Sequence, residues 1–246
     1  MVKVFDGIGY LVRGAHLMTQ PGLRQFAAIP LIANIIVFFL TASFLYVTLS
    51  DWYISVAGEL ADGWHFITWL VGPLMLLVGT MLSGYVSVLI VLILTSPFHG
   101  LLAERAEEII TGETLQIDSS SLAIALSVPR ALLREIQKLA HYLPIAIAVI
   151  IVSIIPGINA LSPLLWILLG AWMMSLQFVD YPMDNHRLPF REVRAACAAK
   201  RTTSLSFGAS VAFVSGIPIL NLFLIPAAVT GATLFWCEHL RQHRHE

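Results

Sequence analysis

The chain has 246 residues, of which 58% are hydrophobic and only 12% charged, with a formal net charge of −1. Soluble domains carry about 25% charged residues, so this composition excludes an ordinary water-soluble enzyme. The near-neutral balance and the lack of any basic run exclude nucleic acid as a partner.

The gaps between charges identify the solvent. Residues 63–103 contain no Lys, Arg, Asp or Glu, and neither do residues 26–49, 141–179 or 202–237. A marginal soluble helix runs about 10–15 residues, whereas a helix that crosses a bilayer needs about 20 apolar ones. A charge at the bilayer centre costs at least about 2.5 kcal/mol. The chain reads as a single all-α integral membrane domain over 1–246: two long transmembrane helices, two re-entrant helical hairpins, and amphipathic cytoplasmic helices.

Residues 1–20 form the first amphipathic segment. Phe5, Ile8, Leu11, Val12, Ala15 and Met18 recur at helical spacing, with Lys3, Arg13 and His16 beside them, which predicts a helix on the membrane surface. No cleavable leader is expected, because the first long apolar run starts only at Phe26. Gln20-Pro21-Gly22-Leu23-Arg24-Gln25 then turns the chain into the first span. A helix start presents unpaired N–H groups and partial positive charge. Gly22 leaves the backbone open to approach, and Arg24 adds a forked cation. Gly22, Leu23 and Arg24 therefore make a candidate oxyanion site; the alternative is an ordinary turn with an arginine at the headgroups.

The spanning helices are expected at 26–49 and 64–96. At ~1.5 Å per residue the second would reach about 50 Å against a hydrocarbon core of about 30 Å, so it must tilt, kink near Gly72-Pro73 or project beyond the bilayer. Between the spans lie Asp51, Glu59 and Asp62 but no Lys or Arg. The positive-inside rule makes that loop external and the other polar segments cytoplasmic.

Residues 104–140 form a polar helical segment. Glu104 and Glu108 share a face, and Thr111-Gly112 reads as a helix stop. Arg130, Arg134 and Lys138 then recur every fourth residue as one basic stripe. Glu104, Arg130 and Arg134 are candidates for an anion pathway; the stripe could equally face anionic lipid or pair with the acidic helix.

Residues 141–179 and 202–237 are each broken in the middle, at Pro156-Gly157-Ile158-Asn159 and at Gly216-Ile217-Pro218. The halves of the first, about 13 and 16 residues, reach roughly 20–24 Å, short of a crossing. Both stretches read as hairpins that enter and leave on the cytoplasmic side; the alternative is two ordinary spans each in a thinned bilayer. Ile155-Pro156-x-x-Asn159 and Ile217-Pro218-x-x-Asn221 are alike, and matched interruptions of this kind point to a transport pathway. Asp180, Asp184, Asn185 and His186, in the linker between the hairpins, have no metal-ligand spacing. They read as a structural motif that satisfies hairpin ends and leads to a helix beginning near Pro189. No metal, cofactor or catalytic nucleophile is expected: phosphate-loop, zinc-protease and nucleophile-elbow motifs are missing. Cys197 and Cys237 are expected to be isolated buried thiols.

These residues carry a resemblance. Gln20-Pro21-Gly22-Leu23-Arg24, Ser96-Pro97-Phe98-His99-Gly100, Pro129-Arg130, Tyr142-Leu143-Pro144, Ile155-Pro156-Gly157 and Asp180-Tyr181-Pro182-Met183-Asp184-Asn185-His186 are similar to motifs of the CysZ family of bacterial sulfate permeases, over nearly the whole chain. The resemblance implies a multi-pass protein of the bacterial inner membrane that admits sulfate for cysteine synthesis. Sulfite and related oxyanions are further candidate substrates, and membrane lipid a further partner. It also implies two spans plus two partly penetrating hairpins, assembly as a homo-oligomer with antiparallel protomers, and a sulfate site at Gly22, Leu23 and Arg24. Gln25 departs from the family pattern, since some members carry a second arginine there. The one-sided Lys/Arg distribution favours a single orientation. A non-transporting membrane scaffold or assembly factor is the alternative function.

Overall fold

A computed structural model describes residues 3–59, 65–113 and 121–241. All regular structure among them is helical: α1 (Lys3–Leu17), α2 (Arg24–Glu59), α3 (His65–Thr111), α4 (Ser121–Ile154), α5 (Ser162–Asn185), α6 (Phe190–Ala199), α7 (Arg201–Ser215) and α8 (Pro218–Phe235). A single 3-10 turn, Asn159–Leu161, precedes α5, and α8 continues into a π-helical turn at Trp236–Leu240. The described residues fall into two compact units, one of residues 29–95 and one formed by the remainder.

The surfaces of the long helices are those of a membrane protein. Phe39, Leu40, Phe44, Ile54, Leu70 and Met81 are exposed, and Trp69 is 83% exposed. In water such a surface would be unstable; against lipid tails it costs nothing. Among the described residues five helical stretches are long and apolar enough to cross a bilayer: 35–55, 69–86, 132–154, 159–185 and 223–240. The all-α membrane class follows.

Helix ends differ from the sequence expectation. α2 runs 36 residues and α3 47, about 54 and 70 Å, so both exceed the hydrocarbon thickness. α3 does not stop at Ser96-Pro97 but continues to Thr111, where Gly112 adopts a left-handed φ of +73° and its N–H bonds the Glu108 carbonyl. Residues 104–140 are accordingly the end of α3, a stretch partly outside the described residues, and the first half of α4. The length premise for the first hairpin also needs correcting. Its first helix is not about 13 residues but the C-terminal half of a 34-residue α4, and its second, α5, has 24.

The larger unit is assembled by backbone approach. At Gly208 of α7 an added Cβ would lie 1.8 Å from the Ala171 carbonyl oxygen of α5. At Gly14 of α1 it would lie 2.3 Å from the Ala227 carbonyl oxygen and 2.4 Å from the Gly231 nitrogen of α8. Small residues at helix crossings are the membrane solution where no hydrophobic effect drives association. Thr230 Oγ1 donates to the Gly14 carbonyl at 2.9 Å, and Tyr10 and Arg13 bond Glu238. So α1 does not simply lie on a surface: Tyr10 and Leu11 are buried against the α7–α8 pair, while Ile8 and Val12 face outward.

Gly208→Val should lower the unfolding midpoint of the detergent-purified protein by about 6–12 °C, from an overpacking cost near 3 kcal/mol with only backbone to give way. Gly170→Val, where an added Cβ meets nothing within 4 Å, should change it little. Equal midpoints for the two variants would show that the α5–α7 crossing is looser than described.

Candidate functional site

The turn before α2 is closed by its own backbone. The N–H groups of Leu23 and Arg24 both donate to the Gln20 carbonyl, at 3.1 and 3.2 Å. Gly22 takes a φ of +101°, a left-handed conformation that side-chain-bearing residues resist. The Leu23 side chain is fully buried in the core and anchors the turn. Arg24 is exposed, and among the described residues its guanidinium has no ion pair or hydrogen bond. Two amides that the sequence suggested as outward donors are thus already used. What the turn offers an anion is the guanidinium of Arg24 and the amides of the helix start beyond it, with Gly22 as the hinge that presents them.

The basic stripe is not an open row of cations. Arg130 Nη2 binds Asp184 Oδ1 at 2.6 Å and the Asp184 carbonyl at 3.0 Å. Arg134 Nη2 binds Asp180 Oδ1 at 2.7 Å, and its Nη1 donates to the Leu188 carbonyl. Arg134 Nε lies 3.3 Å from Asp184 Oδ1, close enough for attraction but outside hydrogen-bond geometry. Lys138 Nζ reaches Asp180 Oδ2 at 3.0 Å and Glu135 Oε1 at 2.8 Å. Asp180 and Lys138 are 3% and 2% exposed. Three cations on α4 therefore meet Asp180, Asp184 and Glu135. The stripe pairs with acidic groups, as one of its readings allowed, but the main partners lie at the end of α5 rather than on the Glu104–Glu108 face.

Glu104 sits apart from this network. It is buried on α3, and no ion pair or hydrogen bond among the described residues joins it to Arg130 or Arg134. Burial, followed by repulsion from Glu108, pushes its carboxyl above the usual range.

The rest of the linker motif ties other elements together. Asn185 Nδ2 donates to the Gly100 carbonyl of α3 at 2.9 Å. His186 Nε2 lies 2.9 Å from Glu107 Oε1, and its ring packs beside Trp236 with centroids 5.7 Å apart. Arg241 approaches Glu107 at 3.6 Å and donates to Glu113 at 3.0 Å. Glu107, Trp236 and Arg241 were not singled out from the sequence, and no spacing links residues so far apart. His99 is buried against the edge of the Tyr181 ring, and burial lowers its pKa to about 4, so it is neutral at physiological pH. Among the described residues no three His, Cys, Asp or Glu side chains gather in a metal-binding group.

Chemically, the described residues offer exposed guanidinium groups without an ion pair at the starts of α2, α6 and α7 (Arg24, Arg191 and Arg201) and a charge-balanced ion-pair network centred on buried Asp180 and Lys138. The chain matches the family described as Sulfate transporter CysZ/Etoposide-induced protein 2.4 over residues 10–226. It is 38% identical over 237 residues to a protein of Pectobacterium atrosepticum named Sulfate transporter CysZ, covering 96% of this chain and 86% of that one. It is 39% identical over 234 residues to the protein of the same name from Salmonella typhimurium, covering 95% and 92%.

Proposed function

The chain belongs to the Sulfate transporter CysZ/Etoposide-induced protein 2.4 family, and from that premise we propose that it is a sulfate permease of the bacterial inner membrane, not an enzyme. The observation that carries the reading is the likeness to relatives named for sulfate transport along at least 95% of this chain, in a molecule whose long helices expose apolar side chains. A pure scaffold has no comparable support.

Sulfate carries two charges and four acceptor oxygens, and in this proposal it is first met by Arg24 and the start of α2. Gly22 and Leu23 hold that turn; they do not donate from their side chains. Arg130 and Arg134 belong to the transit route only if the anion displaces Asp184 or Asp180 from them, and Glu104, outside that network, is a further residue of the proposed route. The pairing of Arg130 and Arg134 with Asp184 and Asp180 favours Arg24 over those two as the primary contact. Calorimetric titration of purified protein with sulfate, with chloride as the control, tests the binding step; heat for sulfate alone supports the proposal, and no heat for either opposes it.

The hairpins in this reading penetrate without crossing. From Lys138, in the polar network, to Ile154 at the tip, α4 covers about 25 Å, and the 15 residues of α7 cover about 22 Å. The first tip is apolar: Ile154, Ile155, Ile158 and Leu161 are exposed. Its backbone is largely satisfied locally, with Asn159 N bonding Ile155 O at 3.1 Å and Leu161 N bonding Ile158 O at 3.0 Å. Such a tip is more stable in hydrocarbon or against a second copy than in water, so the reading includes a homo-oligomer. One orientation is expected. In a Cys237→Ser background an impermeant maleimide applied to intact cells should label Gly58→Cys but not Arg191→Cys, which should react only after permeabilisation. Equal labelling from outside would mean mixed insertion, as antiparallel protomers require.

A further inference from the structure

A cavity of about 490 Å³ lies between α2 and α3, wholly within the unit of residues 29–95. Its size matches small-molecule sites, about 300–1,000 Å³. Gly72, Gly79 and Ser83 on α3 and Ala42 on α2 are too small to fill the space between the helices, while Phe38, Tyr46 and Tyr53 supply aromatic walls. Phe38, Tyr46 and Leu76 are exposed at its rim, but Ser83 at its floor is 3% exposed.

Ser83 is the unusual group. A serine or threonine inside a helix ordinarily returns its hydroxyl to a carbonyl one turn back. Thr80 does so with Leu76 O at 2.7 Å, and Ser50 with Val47 O at 2.8 Å. Ser83 Oγ has no partner among the described residues. A buried hydroxyl without a partner is costly in an apolar setting. A buried water there would need two to four polar partners, and the lining is mainly apolar, with Phe38, Leu45, Leu49, Met75 and Leu76. No Lys, Arg, Asp or Glu lines the cavity, so an ionised headgroup or sulfate would be desolvated there with no counter-charge.

We propose that this cavity binds an uncharged lipophile, an apolar body lying along Ala42 and Gly79 with one hydroxyl or carbonyl oxygen bonded to Ser83 Oγ. Arg24 is not among the lining residues, and the proposal does not rest on the permease reading.

The test is photolabelling of the full-length protein in nanodiscs with a long-chain alcohol bearing a diazirine, alongside the same chain ending in a methyl group. The alcohol should label α2 and α3 saturably at the cavity, about five-fold more efficiently than the hydrocarbon. Ser83→Ala should remove that preference without changing hydrocarbon labelling. Ala42→Trp should abolish labelling by both; should it fail to fold, Ser83→Ala alone decides. Competition by dodecanol or by a short-tailed benzoquinone distinguishes a hydroxyl from a carbonyl source. Unsaturable labelling spread over all lipid-facing helices, or an unchanged preference in Ser83→Ala, would overturn the proposal. So would efficient Ser83→Cys cross-linking between two copies, which would mean that a second chain fills the groove.

Discussion

Asp180→Ala is expected to be the most damaging single truncation of a polar side chain in this protein. Asp180 is buried at the end of α5 and holds two cations at once, Arg134 at 2.7 Å and Lys138 at 3.0 Å. Alanine would leave both buried with reduced neutralisation, and breaking a buried pair from one side costs about 3–5 kcal/mol. For a chain of this size that is about 6–20 °C in unfolding midpoint. Asp180→Asn keeps the shape and an acceptor oxygen but loses the charge, so it should fall between alanine and the native residue. Arg13→Ala is the control. Its pair with Glu238 is half-exposed, and such pairs contribute at most about 1 kcal/mol. If Asp180→Ala melts like Arg13→Ala, the network is not the clamp that joins α4 to α5.

Arg24→Ala should weaken sulfate binding by roughly 10- to 150-fold, the equivalent of one lost charge-assisted contact of about 1.5–3 kcal/mol. Stability should change little, because Arg24 is exposed and makes no ion pair among the described residues. Arg24→Lys should recover only part of the affinity, since an ammonium lacks the planar fork that grips two oxygens. Gly22→Val should also weaken binding, through strain rather than blockade: an added Cβ at Gly22 meets nothing within 4 Å, but φ is +101°. Calorimetry with sulfate reads all three. Native-like binding by Arg24→Ala would move the site elsewhere, with Arg130 and Arg134 next to be tested.

The sequence displayed the solvent more clearly than the contacts. Charge-free runs marked every long apolar helix, because lipid forbids isolated charges. Gly112 marked the end of α3 for a local reason, its left-handed cap. Ser96-Pro97 misled, because the helix register continues through it and tertiary context overrides a local breaker. The amphipathic pattern of residues 1–20 was visible, but not that Gly7 and Gly14 let α7 and α8 approach its backbone. Periodicity reports which residues share a face; it does not say what covers that face. The same limit applies to the candidate sites. The Arg130–Arg134–Lys138 stripe was legible as a stripe, yet its main partners lie 42 to 54 positions away, a separation that no spacing rule spans. Likewise the exposed guanidinium of Arg24 was readable, whereas the turn bonds that use the Leu23 and Arg24 amides depend on a φ seen only in three dimensions.

The central claim is that this one polypeptide admits sulfate across a bilayer. Uptake of radiolabelled sulfate into liposomes containing only the purified protein tests it most directly, run with and without a proton gradient and beside Arg24→Ala vesicles of equal protein content. The account predicts uptake well above protein-free vesicles and a marked loss in Arg24→Ala at low sulfate. Uptake no faster than in protein-free vesicles under either gradient, from protein that is folded and inserted, would contradict it.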